Sequence, residues 1–403
     1  MKSETITRSR SPHFAALFVW MVLALALFNP VHAATTPTSD FTDNTDGTVT
    51  HKTTGLVWKR CAEGMTWTGS ACTGTATTYT WAQAVALTAT FAGKSDWRLP
   101  NIRELFTITE IDAYNPAINS VIFSTTPTSN FFWSSSAYAG NSNDAWYVDF
   151  DYGNDDTYIK TYNFQVRLVR GGQSLGLLAL SRPATDYVDN SDGTVTHTPT
   201  ALIWKRCTEG QTWSGSTCTG TATATTWAAA MALTGSFAGK SDWRLPTLAE
   251  LHSLVDFTLT NPTTNSTIYP NTPPMYYSWS ASVYAGDSGV AWGIDFRSGF
   301  DEGYNKSRNN YVRLVRGGHP VESSSTPADC LFNWAEKTYP QYFAPASTSQ
   351  TQDVYYYRQY ADTNSILGIS NDKQRVLYIG PLTGGGVQDL GDIPSWLATA
   401  GCK

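Results

Sequence analysis

Two short acidic stretches carry the residues most able to do chemistry in this chain. Carboxylates so close together are the ligands that Ca²⁺ prefers, and beside tyrosine and basic side chains they can also hold a polar ligand. We therefore predict a ligand-binding surface in loops 139–163 and 285–310. Its candidate residues are Tyr147, Asp149, Asp151, Asp155, Asp156, Asp295, Arg297, Asp301, Glu302, Lys306 and Arg308. Solvated acidic loops are the more common alternative, so no metal site or cofactor is predicted and calcium is kept as the alternative.

Net charge limits the class of ligand. The whole chain carries −6 at pH 7, and only 15% of its residues are charged. Binding of DNA or RNA needs a basic field, so nucleic acid is excluded as a partner and sulfated polysaccharide is disfavoured. A local basic patch is the alternative, since five basic residues lie close together in the second half: Arg297, Lys306, Arg308, Arg313 and Arg316.

Catalytic patterns are lacking. No Ser-His-Asp order, phosphate loop or HExxH motif is found. His51 and His197 fall on predicted strands, whereas His252 and His319 have no repeat equivalents. We therefore predict that the protein is not an enzyme, with carboxylates paired for glycan cleavage left open because folding decides their distance.

The elements that position these residues come in two copies. One offset of 146 residues superimposes Gly47 on Gly193 and Trp97 on Trp243 without a gap. We predict one domain over 40–172 and a second over 186–318, each about 130 residues long and able to bury its own core. A linker over 319–328 and a small β-rich domain over 329–403 follow. In that domain a helix over Leu331–Tyr339 is predicted to pack on strands near Tyr355–Tyr360 and Val376–Ile379.

The stretch FAGKSDWRLP recurs unchanged at 91–100 and 237–246. In the first copy, Gly93 is predicted to end a helix, Trp97 and Leu99 to fill the core, and Asn101 with Glu104 to cap the next helix. Arg98 is expected to hydrogen-bond backbone carbonyls or an acidic side chain, as is its counterpart Arg244.

Two further elements surround the predicted binding loops. Thr80 and Gln83 form a capping box for a helix whose inward face comprises Trp81, Ala84, Val85 and Thr88. The second copy has Ala229 in place of the glutamine, so its cap is expected to be weaker. The alternation of 145–150 predicts a half-buried strand with Trp146, Val148 and Phe150 inward.

The positions of the six cysteines agree with the repeat. Cys61 and Cys72 recur as Cys207 and Cys218, while Cys330 and Cys402 bracket the last domain. The simplest pairing is 61 with 72, 207 with 218, and 330 with 402. Metal binding is disfavoured, because no partner CxxC or histidine pair is present.

The first 33 residues read as an export signal: basic residues, a short apolar run from Phe14 to Phe28, and a small-residue cleavage site at Val31–Ala33. The run is too short to cross a bilayer, so no transmembrane segment is predicted in the mature chain. Export to the periplasm, the cell surface or the medium is expected.

The motifs as a set resemble the C-terminal domain of the Legionella collagen-like adhesin. They are DGTVTH, TGLVWKRC or TALIWKRC, DWRLPNIREL or DWRLPTLAEL, WSSS or WSAS, and VRLVRGG. More distantly, RLPT-x-x-E and VRGG resemble formylglycine-generating enzymes, whose fold is a variant of the C-type lectin fold. The resemblance implies an α+β class: two tandem C-type-lectin-like domains, each a twisted antiparallel sheet with two helices.

The adhesin resemblance implies a secreted or cell-surface recognition protein that binds an extracellular polymer, most readily a glycan. Two similar domains favour avidity, and exposed aromatic side chains suit sugar faces. Departures are the lack of a Gly-X-Y collagen segment and of the sugar-binding triplets of animal lectins. An envelope module that binds protein partners is the first alternative, and a formylglycine-generating or glycan-cleaving enzyme is the second.

Overall fold

The computed structural model describes residues 35–172, 176–233, 235–273 and 277–317, and beyond them the backbone of five strands. The predicted export signal, the linker 319–328, the helix over Leu331–Tyr339 and the disulfide Cys330–Cys402 lie outside the described residues. Within the described ranges, no helix has the length and apolar character required to span a bilayer.

Copy 1 is built mainly of short strands with two five-residue helices. Its strands are β1 (Phe41–Asp43), β2 (Thr48–His51), β3 (Leu56–Lys59), β4 (Thr66–Trp67), β5 (Cys72–Thr73), β6 (Thr78–Tyr79), β7 (Phe132–Ala137), β8 (Asp144–Val148), β9 (Asp155–Ile159), β10 (Phe164–Gln165) and β11 (Val169–Gly171). Its helices are α1 (Trp81–Val85) and α2 (Ile102–Phe106). The strands form a four-stranded sheet in the order β1-β2-β3-β11, a five-stranded sheet β6-β10-β7-β8-β9, and the pair β4-β5.

Copy 2 repeats this plan. Its strands are β12 (Tyr187–Asp189), β13 (Thr194–His197), β14 (Leu202–Lys205), β15 (Thr212–Trp213), β16 (Cys218–Thr219), β17 (Ser278–Val283), β18 (Val290–Ile294), β19 (Asp301–Asn305) and β20 (Val315–Gly317). Its helices are α3 (Trp227–Met231) and α4 (Leu248–His252). The four-stranded sheet recurs as β12-β13-β14-β20, while the larger sheet keeps only β17-β18-β19.

The C-terminal region forms one antiparallel meander in chain order. Its strands are β21 (Ala346–Thr351), β22 (Tyr355–Tyr360), β23 (Ser365–Ser370), β24 (Arg375–Ile379) and β25 (Val387–Asp392). The strands predicted near Tyr355–Tyr360 and Val376–Ile379 are confirmed. Two tandem domains of mostly β structure with a few short helices agree with the α+β class in its broad sense.

The repeated WRLP motif leads from an isolated β-bridge at Arg98 into helix α2. Trp97 and Leu99 are buried, and Arg98 exchanges backbone hydrogen bonds with Val169 of β11 at 2.9 and 3.0 Å. Asn101 and Glu104 form the predicted capping box of α2, and the Arg98 guanidinium donates to both Glu104 carboxylate oxygens at 2.6 and 2.7 Å. These assignments are confirmed, and copy 2 repeats the arginine–glutamate pair.

Gly93 does something other than end a helix. Helix α1 ends at Val85, and Phe91 and Lys94 exchange backbone hydrogen bonds around Ala92 and Gly93, whose φ values are +50° and +68°. Two successive positive φ values define the hairpin turn that glycine favours. The helix-end prediction is therefore wrong, because the chain leaves α1 several residues earlier.

The inward face predicted for α1 is also wrong in part. Ala84 is buried and Trp81 half-buried, but Val85 is 46% exposed and Thr88 lies beyond the helix in an exposed position. A helix of one and a half turns is too short to present a long apolar stripe. The capping boxes were predicted correctly: Thr80 and Gln83 form one on α1, whereas Thr226 caps α3 alone.

Strand β8 is buried on both faces rather than one. Trp146 and Val148 belong to the central core, and Tyr147 on the opposite face packs in a second cluster with Phe164 and Trp133. The alternation was predicted correctly, but on the polar-looking face the Tyr147 ring packs against the rings of Phe131 and Phe164. Period-two patterning identifies two faces and cannot show what lies over each.

The two copies share a central core, and each also has a smaller buried cluster of its own, around Trp133 in copy 1 and Trp279 in copy 2. The central cluster contains Leu105 and Trp146 of copy 1 together with Leu251 and Phe257 of copy 2. The Trp146 ring lies edge-on to Phe257 at 5.0 Å and to Phe300 at 5.2 Å. The tandem region therefore behaves as one packed body.

The segment between the copies is part of that body. Leu178 is buried, and the fully buried Arg182 donates to six backbone carbonyls or carboxylates nearby through its side chain and amide. One of these acceptors is the Asp256 carboxylate of copy 2, at 2.7 Å. This connection is packed rather than a loose tether.

Two of the predicted disulfides are confirmed. Cys61 bonds to Cys72 and Cys207 to Cys218, each with Cα atoms 5.5 Å apart. Each links the end of a strand of the first sheet to the small hairpin beside it. Such bonds are typical of proteins that fold outside the reducing cytoplasm.

Candidate functional site

The predicted acidic residues separate into three environments. Asp149 makes a turn: it is buried, its carboxylate accepts from the backbone N–H of Asp151 at 2.8 Å, and burial raises its pKa. Asp295 makes the same turn in copy 2, accepting from the Arg297 N–H at 2.8 Å. Both carboxylates therefore serve the local backbone.

Asp155 and Asp301 form the second environment, at the contact between the copies. The backbone N–H of Asp155 donates to the Asp301 carboxylate at 2.7 Å, and that of Asp301 donates to the Asp155 carboxylate at 3.1 Å. Both side chains are buried. The pair sits at the start of β9 and β19, so equivalent positions of the repeat meet each other across the junction.

His252, at the end of α4, completes this cluster. Its Nε2 lies 3.0 Å from the Asp301 carboxylate, and its ring packs against Phe106, its counterpart in copy 1, at 4.2 Å. Sequence reasoning missed His252 as a site residue because its partner lies 49 positions away. The available signal was that copy 2 has histidine where copy 1 has phenylalanine.

Burial controls the electrostatics of this junction cluster, defined as Asp155, His252 and Asp301. It raises the pKa of Asp301 to about 7, and burial together with Asp301 raises that of Asp155 well above its ordinary range. Burial also lowers the pKa of His252 to about 4. The buried guanidinium of Arg103 lies close by and donates to the His252 and Val255 carbonyl oxygens. The cluster is therefore a buried polar site that external polymers do not reach.

The third environment is the accessible surface of copy 1. A pocket of about 290 Å³ lies at the open end of the β8–β9 hairpin, where β8 begins and β9 ends. Its lining residues are Asn141, Ser142, Asn143, Asp144, Ile159, Lys160 and Thr161. Lys160 is held in place by the Ser142 carbonyl at 2.7 Å and by the Trp81 ring, 4.5 Å from its ammonium. The pocket lies within loop 139–163.

Two exposed tyrosines flank the pocket residues Ile159, Lys160 and Thr161 in sequence. Tyr158 and Tyr162 are 36% and 52% exposed, their rings 4.7 Å apart, and Ile159 between them is also exposed. Behind them, Tyr147 stacks on Phe131 at 4.3 Å. We call Tyr158, Ile159 and Tyr162 the hairpin patch. Tyr147 itself is buried, so it supports the patch from within rather than contacting a ligand.

Copy 2 carries different chemistry at the same place. The counterparts of Tyr158 and Tyr162 are Tyr304 and Arg308, and the Arg308 guanidinium lies 5.3 Å from the Tyr304 ring. Glu302 accepts hydrogen bonds from Tyr304 at 2.5 Å and Tyr277 at 3.2 Å. The aromatic surface of copy 1 is thus replaced by a mixed, charged surface.

The basic residues of copy 2 do not form one patch. Arg313 is buried and donates to the Lys205 and Arg206 carbonyls, and Arg316 binds the Asp242 carboxylate at 2.8 Å. Lys306 holds the Ser288 carbonyl at 2.8 Å. Only Arg297 and Arg308 of the five are exposed. These five residues therefore do not form a strongly basic surface for an anionic polysaccharide.

The candidate residues thus do not form one surface. Five of them are buried: Tyr147, Asp149, Asp155, Asp295 and Asp301. The others lie at least partly at the surface: Asp151, Asp156, Arg297, Glu302, Lys306 and Arg308. That any of these residues binds a ligand stays a prediction; the buried aspartates lie in the turns and at the junction.

Comparison with known proteins assigns both repeats to one family. The family described as the Lcl C-terminal domain matches residues 47–170 and again residues 193–316. No curated protein and no solved structure matches the chain. The C-type-lectin-like fold therefore stays a prediction. Because the two matches together cover more than half of its length, the chain belongs to the Lcl C-terminal domain family.

Proposed function

We propose that this protein is a cell-surface or secreted recognition protein that binds an extracellular polymer, first of all a glycan, and does no catalysis. Membership of its family suggests a domain of the cell-surface or adhesion type. The observation that carries the proposal is the hairpin patch beside the polar pocket of copy 1. The C-type-lectin-like fold, as a scaffold for variable loops, is part of the same proposal.

The chemistry of this surface suits a sugar chain. Exposed tyrosine rings offer apolar faces on which the C–H face of a sugar packs, while their hydroxyls stay in water. The exposed side chains of Asn141 and Asn143 offer amide groups for sugar hydroxyls, and the Asn141 amide is oriented by donating to the Asp144 carboxylate at 2.8 Å. A pocket of about 290 Å³ is small for a ligand site, so it suits a single sugar unit of a longer polymer.

Copy 1 is the primary site in this proposal. The equivalent surface of copy 2 lacks the second exposed tyrosine and carries Glu302 and Arg308 instead. Both charged groups contact tyrosine side chains, so less of their hydrogen-bonding capacity is offered to a neutral sugar. Binding by the tandem pair is then unequal between the copies.

Absence of catalysis is supported by the state of the cysteines. The resemblance to formylglycine-generating enzymes implies a pair of active-site cysteines. In the described part of the chain Cys61, Cys72, Cys207 and Cys218 are joined in two structural disulfides. A thiol in such a bond is unavailable as a nucleophile.

A glycan array run beside a pull-down from envelope extract tests the proposal. We expect the wild type to retain a class of glycans, and the double variant Tyr158→Ala/Tyr162→Ala to lose at least tenfold in affinity for it. Tyr304→Ala in copy 2 is the matched control and is expected to bind as wild type does. Retention of envelope proteins with no glycan would support the assembly alternative, and undiminished glycan binding by the double variant would reject this surface as the site.

A further inference from the structure

The junction cluster has the donor set of a metal site. Asp155, His252 and Asp301 each offer one ligand atom, and the three atoms lie within 4.8 Å of one another with all three residues buried. One imidazole nitrogen and two carboxylate oxygens suit Zn²⁺ and related divalent transition metals. Calcium is disfavoured, because it takes six or more oxygen ligands.

The carboxylates are already oriented by their surroundings. One oxygen of each accepts a backbone N–H from the other copy, which leaves the second oxygen of each for another partner. For Asp301 that second oxygen faces His252. For Asp155 the second oxygen, Oδ2, is buried, and among the described residues no N–H group or hydroxyl donates to it. A buried carboxylate oxygen without a partner is costly, and a bound cation removes that cost.

A sequence difference between the two copies also supports a metal site. The aspartates are repeated, but His252 replaces the Phe106 of copy 1 and packs against it. A pair of equivalent carboxylates thereby gains the single nitrogen donor needed for a mixed N,O site. Backbone N–H groups from the opposite copy fix the carboxylates as outer-shell partners fix metal ligands.

We propose that Asp155, His252 and Asp301 bind one divalent transition-metal ion of the Zn²⁺ type, which holds the two copies together. Two of the ligands come from copy 2 and one from copy 1. Three protein ligands leave one position of a tetrahedral site for water. The ion has a structural role here, since the buried cluster is closed to substrates.

Loading during folding is the appropriate test, because a buried site does not fill readily by soaking. The full chain, with its disulfides intact, is refolded with ZnCl₂ or with EDTA and then desalted, and its metal content is measured by plasma mass spectrometry. About one Zn²⁺ per chain is expected in the first case, with a higher midpoint of thermal unfolding than in the second.

The variant His252→Phe is the matched control, because phenylalanine stands at the equivalent position of copy 1. It is expected to fold, to retain Zn²⁺ only at background level, and to show no difference between the two refolding conditions. Asp155→Asn, which keeps the size of the side chain, is expected to reduce retention as well. Equal metal content in wild type and His252→Phe, or no Zn²⁺ in the wild type, would overturn the site and leave the cluster as a proton-sharing contact.

Discussion

Single residues show which predictions sequence alone can support. Asn101 and Glu104 were predicted as a capping box because partners three positions apart meet in any helix start. Arg98 was assigned to a folding role because its guanidinium has five hydrogen-bond donors, and its partner proved to be Glu104, six positions away. Asp155 and Asp301 lie 146 positions apart, and nothing in the local pattern shows that they meet.

Arg98→Ala is expected to lower the free energy of unfolding by about 1 to 3 kcal/mol, because a nearly buried Glu104 carboxylate loses two charge-assisted hydrogen bonds. Urea denaturation measures this change. The control is Arg170→Ala, whose partner Asp96 is 56% exposed, and which should cost less than about 1 kcal/mol. Equal losses in the two variants would contradict the folding role, as would a fully stable Arg98→Ala that no longer binds ligand.

His51 gives a pH dependence. Burial lowers its pKa from 6.5 to about 4, so the unfolded chain takes up a proton at a higher pH than the folded one. Its contribution to stability is complete above pH 6.5 and is lost as the pH falls from 6.5 towards 4. The loss amounts to up to about 3 kcal/mol.

His51→Asn removes the titration and keeps a polar group near the Thr54 hydroxyl, which lies 2.8 Å from His51 Nδ1. The stability advantage of the wild type over this variant should shrink as the pH is lowered, in urea unfolding curves recorded at several pH values. Parallel curves for the two proteins would show that His51 is not buried in its neutral form.

At the scale of elements, features set by local contacts were predicted correctly, and features set by tertiary contacts were not. Turn and cap residues predicted the start of each helix, since those contacts are short-range. The length of α1 and the cover on β8 were predicted wrongly because both depend on neighbours distant in sequence. The alternation along 145–150 predicted which side chains share a face, but it could not show that both faces are buried.

The two copies allow a reciprocal test of helix capping. Gln83→Ala reduces the box on α1 to a single hydrogen bond, and Ala229→Gln supplies the missing partner on α3. We expect the first to destabilise and the second to stabilise the protein, each by about 0.5 to 1 kcal/mol. Thermal unfolding followed by circular dichroism measures both. Changes of the same sign in the two variants would refute this account.

For the whole molecule, the sequence predicted the duplication but not the contact between the two copies. Each copy looked large enough to hold its own core, yet Trp146 of copy 1 packs against Phe257 and Phe300 of copy 2. The counterparts of those two phenylalanines are Ile111 and Asn154, so the copies had already diverged where they meet. Contact between repeats is set by shape, which a repeat offset does not encode.

A shared core predicts that the tandem region unfolds as one unit. Leu105→Ala in copy 1 and Leu251→Ala in copy 2 both remove fully buried side chains of that core and should each cost about 2 to 5 kcal/mol. Hydrogen exchange resolved by peptide mass spectrometry should show faster exchange in both copies for either variant. Faster exchange confined to the mutated copy would mean that the copies unfold independently.

The shared core also limits how this chain can change its repeat number. The identical stretches at 91–100 and 237–246 allow an in-frame deletion that joins them and leaves one hybrid domain. That domain would keep its WRLP motif, caps and one disulfide, but Phe257 and Phe300 would lose Trp146, and Asp301 would lose Asp155. Shortening to a single copy therefore removes these contacts across the junction, and we expect the hybrid domain to be less stable than the tandem pair.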